Sequence, residues 1–189
     1  PGKLESDDVD PGEIAVVAIG VCFPEAATLA QFRENLTAGR DSVRPMSPER
    51  AVATGLDAPE SYQETGFIDD IHTFDYAYFR LSKREASLID PQQRLALVAA
   101  HRAIEDAGYS TASLQDSATA VVLSAAASTY PAAWAEPGVL GTLGNVPMAV
   151  PARIAYVSGL RGPCYAVDSG CNASLIAVHQ ACRELRDGD

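Results

Sequence analysis

Among the side chains able to act as nucleophiles near neutral pH, Cys171 has the most favourable surroundings, in the stretch RGPCYAVDSGCNASLIAVHQACREL. Residues 164–168 form a short apolar run bounded by Gly162-Pro163 and Ser169-Gly170, the composition of a buried strand. After the cysteine, Leu175, Val178, Cys182 and Leu185 recur at spacings of three and four, which predicts one face of a helix over residues 172–187. Gly188 stands where a left-handed cap would close it. A thiol between strand and helix meets the unpaired N–H groups and positive dipole end of the first helical turn. Both favour a thiolate, and the same N–H groups can receive the oxyanion formed when it attacks a carbonyl. Local chemistry leaves two readings open: a catalytic nucleophile, or a small hydrophobe packed like most unpaired cysteines.

No other group competes with it. The cysteines Cys22, Cys164, Cys171 and Cys182 include no Cys-x-x-Cys pair and no Cys/His cluster of zinc spacing, so no metal is expected and all four are read as free thiols. His101 falls inside a predicted helix with no partner nearby in sequence and is read as packed or superficial. Residues 138–150 contain Gly141, Gly144 and Asn145 but lack the spacing of a phosphate loop. The aromatic stretch GFIDDIHTFDYAYF over residues 66–79 reads as packing rather than a ligand-stacking surface.

Composition narrows the setting. A formal net charge of -11 argues against a nucleic-acid or anionic-membrane partner, and the scattered basic residues, among them Arg80, Arg153 and Arg161, read as solvated faces. With 47% apolar residues in 189, the chain can bury a real core, yet no run approaches the roughly 18 apolar residues of a membrane span. The acidic opening PGKLESDDVDPGE is unlike a signal peptide, so the expected location is cytoplasmic and residues 1–13 read as an acidic linker.

The elements that would position Cys171 follow from periodicity. Residues 14–20 (IAVVAIG) predict a strand buried on both faces, residues 28–38 a short amphipathic helix ending at Gly39, and residues 41–61, with three prolines, an excursion of loops. Ser82-Lys83-Arg84-Glu85 matches a capping box, and Asp90-Pro91 opens a second helix over residues 91–107 that ends at Gly108. Residues 119–124 (TAVVLS) predict another strand, and Pro151 opens a helix through Val157 that ends at Gly159. The helices over 91–107 and 172–187 are apolar enough to be buried, and the alternation of elements implies an α/β layered fold.

Several stretches, in order, resemble the ketosynthase (beta-ketoacyl synthase) domains of modular polyketide synthases and their fatty-acid synthase relatives. IAVVAIGVCFP is similar to the family's opening strand, and GFIDDIHTFDYAYFRLSKREASLIDPQQRL with AIEDAG to its middle segment. RIAYVSGLRGP resembles the approach to the nucleophile, and VDSGCNASLIAVHQAC the nucleophile motif, usually written D-T-A-C-S-S-S-L. The resemblance implies the N-terminal half of a thiolase-like fold, dimerisation beside the 164–168 strand, and no bound cofactor. It further implies acyl groups delivered on the phosphopantetheine of an acyl carrier protein. Cys171 aligns with the nucleophile that takes the acyl chain as a thioester, its backbone N–H contributing to the oxyanion hole. A malonyl-type extender then loses carbon dioxide and attacks that thioester in a decarboxylative Claisen condensation.

Ser169, Gly170, Asn172 and Ala173 stand where the family has Thr, Ala, Ser and Ser, and Ala152 stands where Gly is common, small-for-small changes that bear on substrate preference. The likeness spans residues 14–189 and ends just after the nucleophile helix. The family's two catalytic histidines, one in H-G-T-G-T, belong to its C-terminal half with a lysine and a Gly-rich loop, and His72, His101 and His179 match neither histidine. The expectation is therefore a split arrangement, a dimer or heterotetramer in which another chain or a continuation supplies the complementary half. The alternative is a non-catalytic scaffold that binds a carrier protein or a partner synthase.

Overall fold

The computed structural model describes residues 12–54, 64–128 and 138–188. Most of the predicted acidic linker, and parts of the proline-rich excursion, lie outside the described residues. In chain order the helices and strands are α1 (Leu29–Thr37), β1 (Val43–Arg44), α2 (Pro48–Thr54), β2 (Thr65–Gly66), α3 (Lys83–Leu88) and α4 (Pro91–Asp106). They continue with β3 (Val121–Ser124), α5 (Val139–Leu143), α6 (Ala149–Ser158), β4 (Cys164–Val167) and α7 (Ala173–Asp187).

Helix starts are set by side chains that satisfy the first unpaired N–H groups. Thr28 and Gln31 form a reciprocal capping box on α1. Ser82 Oγ accepts from Glu85 N at 3.0 Å, opening α3, and Asp90 Oδ1 accepts from Gln92 N at 2.6 Å with Pro91 in the first turn of α4. Gly159 and Gly188 close α6 and α7 in the left-handed conformation, as their positions in the sequence predict.

The centre is a parallel pair, β3 with β4, in a register that sets Val121 opposite Cys164 and Ser124 opposite Val167. Helices α6 and α7 both pack on these strands, and α4 packs on α6, giving the order α4, α6, strand pair, α7. The core cluster joins Phe79, Leu97, Val121 and Ile154, one residue each from the aromatic stretch, α4, β3 and α6. Phe74 stacks on Phe79 with ring centroids 5.1 Å apart, so this part of the aromatic stretch serves packing.

Two expectations are corrected. Residues 14–20 form no strand. Apolar side chains become a strand only where a neighbour takes their backbone N–H and C=O groups, and no described residue pairs with them in a ladder. Val16 and Val17 are 80% and 72% exposed, while the far end of the run lies against α4, where a side chain on Gly20 would fall 2.2 Å from the Ala99 carbonyl oxygen. Helix α7 turns its small residues inward, burying Ala173 and Ala177 and leaving Leu175 at 74% exposure with Val178 and Leu185 also exposed. Close approach to the strands requires short side chains, so the predicted apolar face of this helix points outward. The segment 138–150 contains the helix α5, which its glycines concealed.

Candidate active site

Two local features aim Cys171. Strand β4 ends at Val167, and a short 3-10 turn, Gly170–Asn172, carries the cysteine before α7 begins. Gly170 supplies φ +57, a left-handed turn that side chains other than glycine resist, and an added Cβ there would meet nothing within 4 Å. The reversal leaves Cys171 exposed at the head of α7. The Gly170 N–H lies 3.5 Å from Asp168 Oδ1, a weak tether across the turn.

The end of α7 facing this turn has no side-chain cap, neither Ser169 before the 3-10 turn nor Asn172 before the helix. Its first-turn N–H groups and positive dipole end are therefore not engaged by a capping side chain. Cys171 itself makes no hydrogen bond or ion pair among the described residues. The arrangement is an accessible thiol beside donors suited to a developing negative charge on an attacked carbonyl.

Helix α7 is braced from its other end. Tyr165 Oη donates to Glu184 Oε1 at 2.6 Å, joining the start of β4 to the last turns of the helix. This bond and partial burial hold the phenol above the usual tyrosine range. Cys164, at the first position of β4, has its thiol pushed up by desolvation.

The histidines are not drawn to Cys171. His179 lies on the exposed side of α7, and His101 is engaged elsewhere, with Nε2 at 3.1 Å from Tyr78 Oη and 3.3 Å from Glu105. His72 helps its neighbour Thr73 hold the Asp70 carboxyl below the ordinary aspartate range. Among the described residues no group of three or more His, Cys, Asp or Glu side chains is placed to hold a metal ion. No helix there is long and apolar enough to cross a membrane.

One site-supporting residue escaped the sequence reading. Arg153, grouped there with solvated basic residues, is largely buried, donating to Glu85 Oε1 at 2.6 Å and to Gln93 Oε1 at 2.9 Å. It ties α6 to α3 and α4 and so steadies the layer on which β4 rests. Its position on the apolar face opened by Pro151 was the available signal.

A family model described as "Beta-ketoacyl synthase, N-terminal domain" matches residues 12–189. The spectinabilin polyketide synthase system protein NorC of Streptomyces orinoci is 36% identical over 100% of this chain and 9% of its own length. Polyketide synthase GfsA of Streptomyces halstedii is 39% identical over 96% of this chain and 2% of its own length. The ketosynthase from module 6 of the bacillaene synthase of Bacillus subtilis 168, in a form with one cysteine replaced by serine, superposes with a TM-score of 0.79. It is 28% identical, over 92% of this chain and 30% of that one. A Streptomyces albus JA3453 oxazolomycin ketosynthase domain superposes with a TM-score of 0.73 at 31% identity, over 91% of this chain and 32% of that one. The fold is thus the N-terminal part of the thiolase-like α/β fold of ketosynthases, and the chain spans about a third of those solved chains.

Proposed function

We propose, since the chain belongs to the beta-ketoacyl synthase family and carries that family's N-terminal domain, that Cys171 is the residue on which it accepts an acyl chain for polyketide condensation. The observation that carries this reading is the exposed, unpartnered thiol of Cys171 on the turn between β4 and the uncapped head of α7.

The thiolate of Cys171 attacks the thioester carbonyl of an acyl group held on the phosphopantetheine of a carrier protein. The tetrahedral oxyanion is received by backbone N–H groups at the turn, and collapse expels the pantetheine thiol, leaving the acyl group on Cys171. A malonyl-type extender then loses carbon dioxide, its carbanion attacks the Cys171 thioester, and the thiolate departs, releasing a 3-oxoacyl chain. Loss of carbon dioxide calls for donors to the enolate, and the described residues beside Cys171 supply none. We assign those donors to a complementary C-terminal half, provided by another chain or by a continuation of this one. Two exposed apolar surfaces support the assignment: residues 16–19, and the outward stripe Leu175, Val178 and Leu185 of α7.

In this reading residues 1–13 are an acidic linker and the domain occupies residues 14–189. Self-association runs along β4, whose outer edge has no partner strand among the described residues. The net charge of -11 favours a cytoplasmic setting with protein partners over nucleic acid or anionic membrane.

The test is to combine the chain with its complementary half and add an acyl carrier-protein thioester or iodoacetamide. Selective label on Cys171, lost in Cys171→Ala, is the expected result. Label that survives Cys171→Ala would falsify the nucleophile assignment. The second reading, a non-catalytic scaffold, draws on the absence of any described side chain hydrogen-bonded to the thiol; a stoichiometric complex in which Cys171 stays unlabelled would favour it.

A further inference from the structure

A groove lies at the opposite end of β4 from Cys171. Ser158 and Gly159 lead through residues 160–163 into the first residue of that strand, whereas Cys171 follows its last. The groove has an inner part of about 160 Å³ and an outer part of about 350 Å³, continuous through the shared residues Arg80, Thr111, Val157 and Ser158. Its inner wall includes Phe79, Leu97 and Ile154 of the core cluster.

Three polar side chains face this space without partners. Arg80, Thr111 and Ser158 make no side-chain hydrogen bond or ion pair among the described residues, although Ser158 is only 9% exposed. The Ser158 hydroxyl is not among the sealed, unpartnered polar atoms, so it opens onto the groove, where a bound molecule can meet it. Although acidic residues outnumber basic ones 25 to 14 in the chain, no aspartate or glutamate lines either part. Arg80 is held at φ +56, a backbone state that costs a non-glycine residue about 1 kcal/mol or more and clusters at ligand clamps.

We propose that this groove binds a small organic anion. Its carboxylate or phosphate group pairs with the Arg80 guanidinium and accepts from the hydroxyls of Ser158 and Thr111. Its apolar body, about the size of a benzene ring, fills the inner part against Phe79, Leu97 and Ile154. The site is separate from Cys171 and does not depend on the acyl-transfer reading.

The test titrates benzoate into the isotopically labelled full chain, following amide resonances, with benzyl alcohol as the neutral analogue and inorganic phosphate as the bare anion. Benzoate is expected to shift the signals of Arg80, Val157 and Ser158 saturably and to bind about tenfold or more tightly than either control, the value of one charge-assisted hydrogen bond. Arg80→Gly relieves the left-handed strain and so keeps the fold, yet should weaken benzoate about tenfold, and Ser158→Ala should weaken it severalfold. Absence of saturable shifts overturns the proposal, as does benzoate binding unchanged in Arg80→Gly. Binding of benzyl alcohol as tight as benzoate overturns the anion requirement, and binding of phosphate as tight as benzoate overturns the apolar body. Either result removes the site as described.

Discussion

Gly170 and Cys171 act as one unit, the first setting the direction in which the second points. Because an added Cβ at Gly170 meets open space, the cost of Gly170→Ala is conformational alone, about 1–2 kcal/mol for a left-handed position. Urea denaturation should register that loss, and alkylation of Cys171 should slow in the same variant as the turn relaxes. A gain in stability would mean that the left-handed turn is not populated. Cys164 provides an internal comparison seven positions earlier in the chain. It is exposed like Cys171, yet partial desolvation pushes its thiol above the ordinary cysteine value, so at neutral pH a smaller share is thiolate than in a free cysteine. Its labelling should therefore be slow near pH 7 and climb as pH rises through and beyond the usual thiol range. Peptide mapping of iodoacetamide adducts across pH checks this, and pH-independent labelling of Cys164 would refute it.

Among the elements, α6 holds the layers together through Arg153. Arg153→Met removes the charge that Glu85 and Gln93 share, leaving a part-buried carboxylate without its partner, and should destabilise the chain by about 2–3 kcal/mol. Glu85→Gln, which retains a hydrogen-bond acceptor, should cost less. Equal losses in thermal or urea unfolding would show that the charge is immaterial. Local signals made several of these elements legible from the residues: the caps at Ser82 and Asp90, the closing Gly159 and Gly188, and the strands beginning near residues 119 and 164. Each depends on a few neighbours in sequence. What was hidden depends on distant neighbours. The apolar residues 14–20 look like a strand because composition does not say whether a ladder partner is present. The periodic Leu175, Val178 and Leu185 look core-facing, yet alanines make the closer fit to the strands. Arg80 carries no sequence mark of its left-handed backbone, and the groove beside it exists only once residues 80, 111 and 158 converge.

For the whole molecule, the outward stripe of α7 is the feature with the largest energetic consequence. Leu175, Val178 and Leu185 together offer apolar area worth several kcal/mol if covered, at about 25 cal/mol per Å². Replacing Leu175 and Val178 by glutamine should leave the fold intact, reduce binding of a hydrophobic dye, and abolish copurification with a complementary ketosynthase half. Undiminished copurification would move the assembly surface elsewhere. Such a separation of effects also distinguishes an assembly face from a core face, since core substitution would lower stability as well.

The parallel pairing of β3 with β4 has a consequence in time. Val121 cannot meet Cys164 until the roughly forty residues of crossover between them have been made and gathered, a long-range closure of the kind that slows folding. During synthesis the turn bearing Cys171 and the helix behind it emerge after β4. The surroundings of Cys171 thus leave the ribosome only after both strands, and they must find a strand pair that has only just closed.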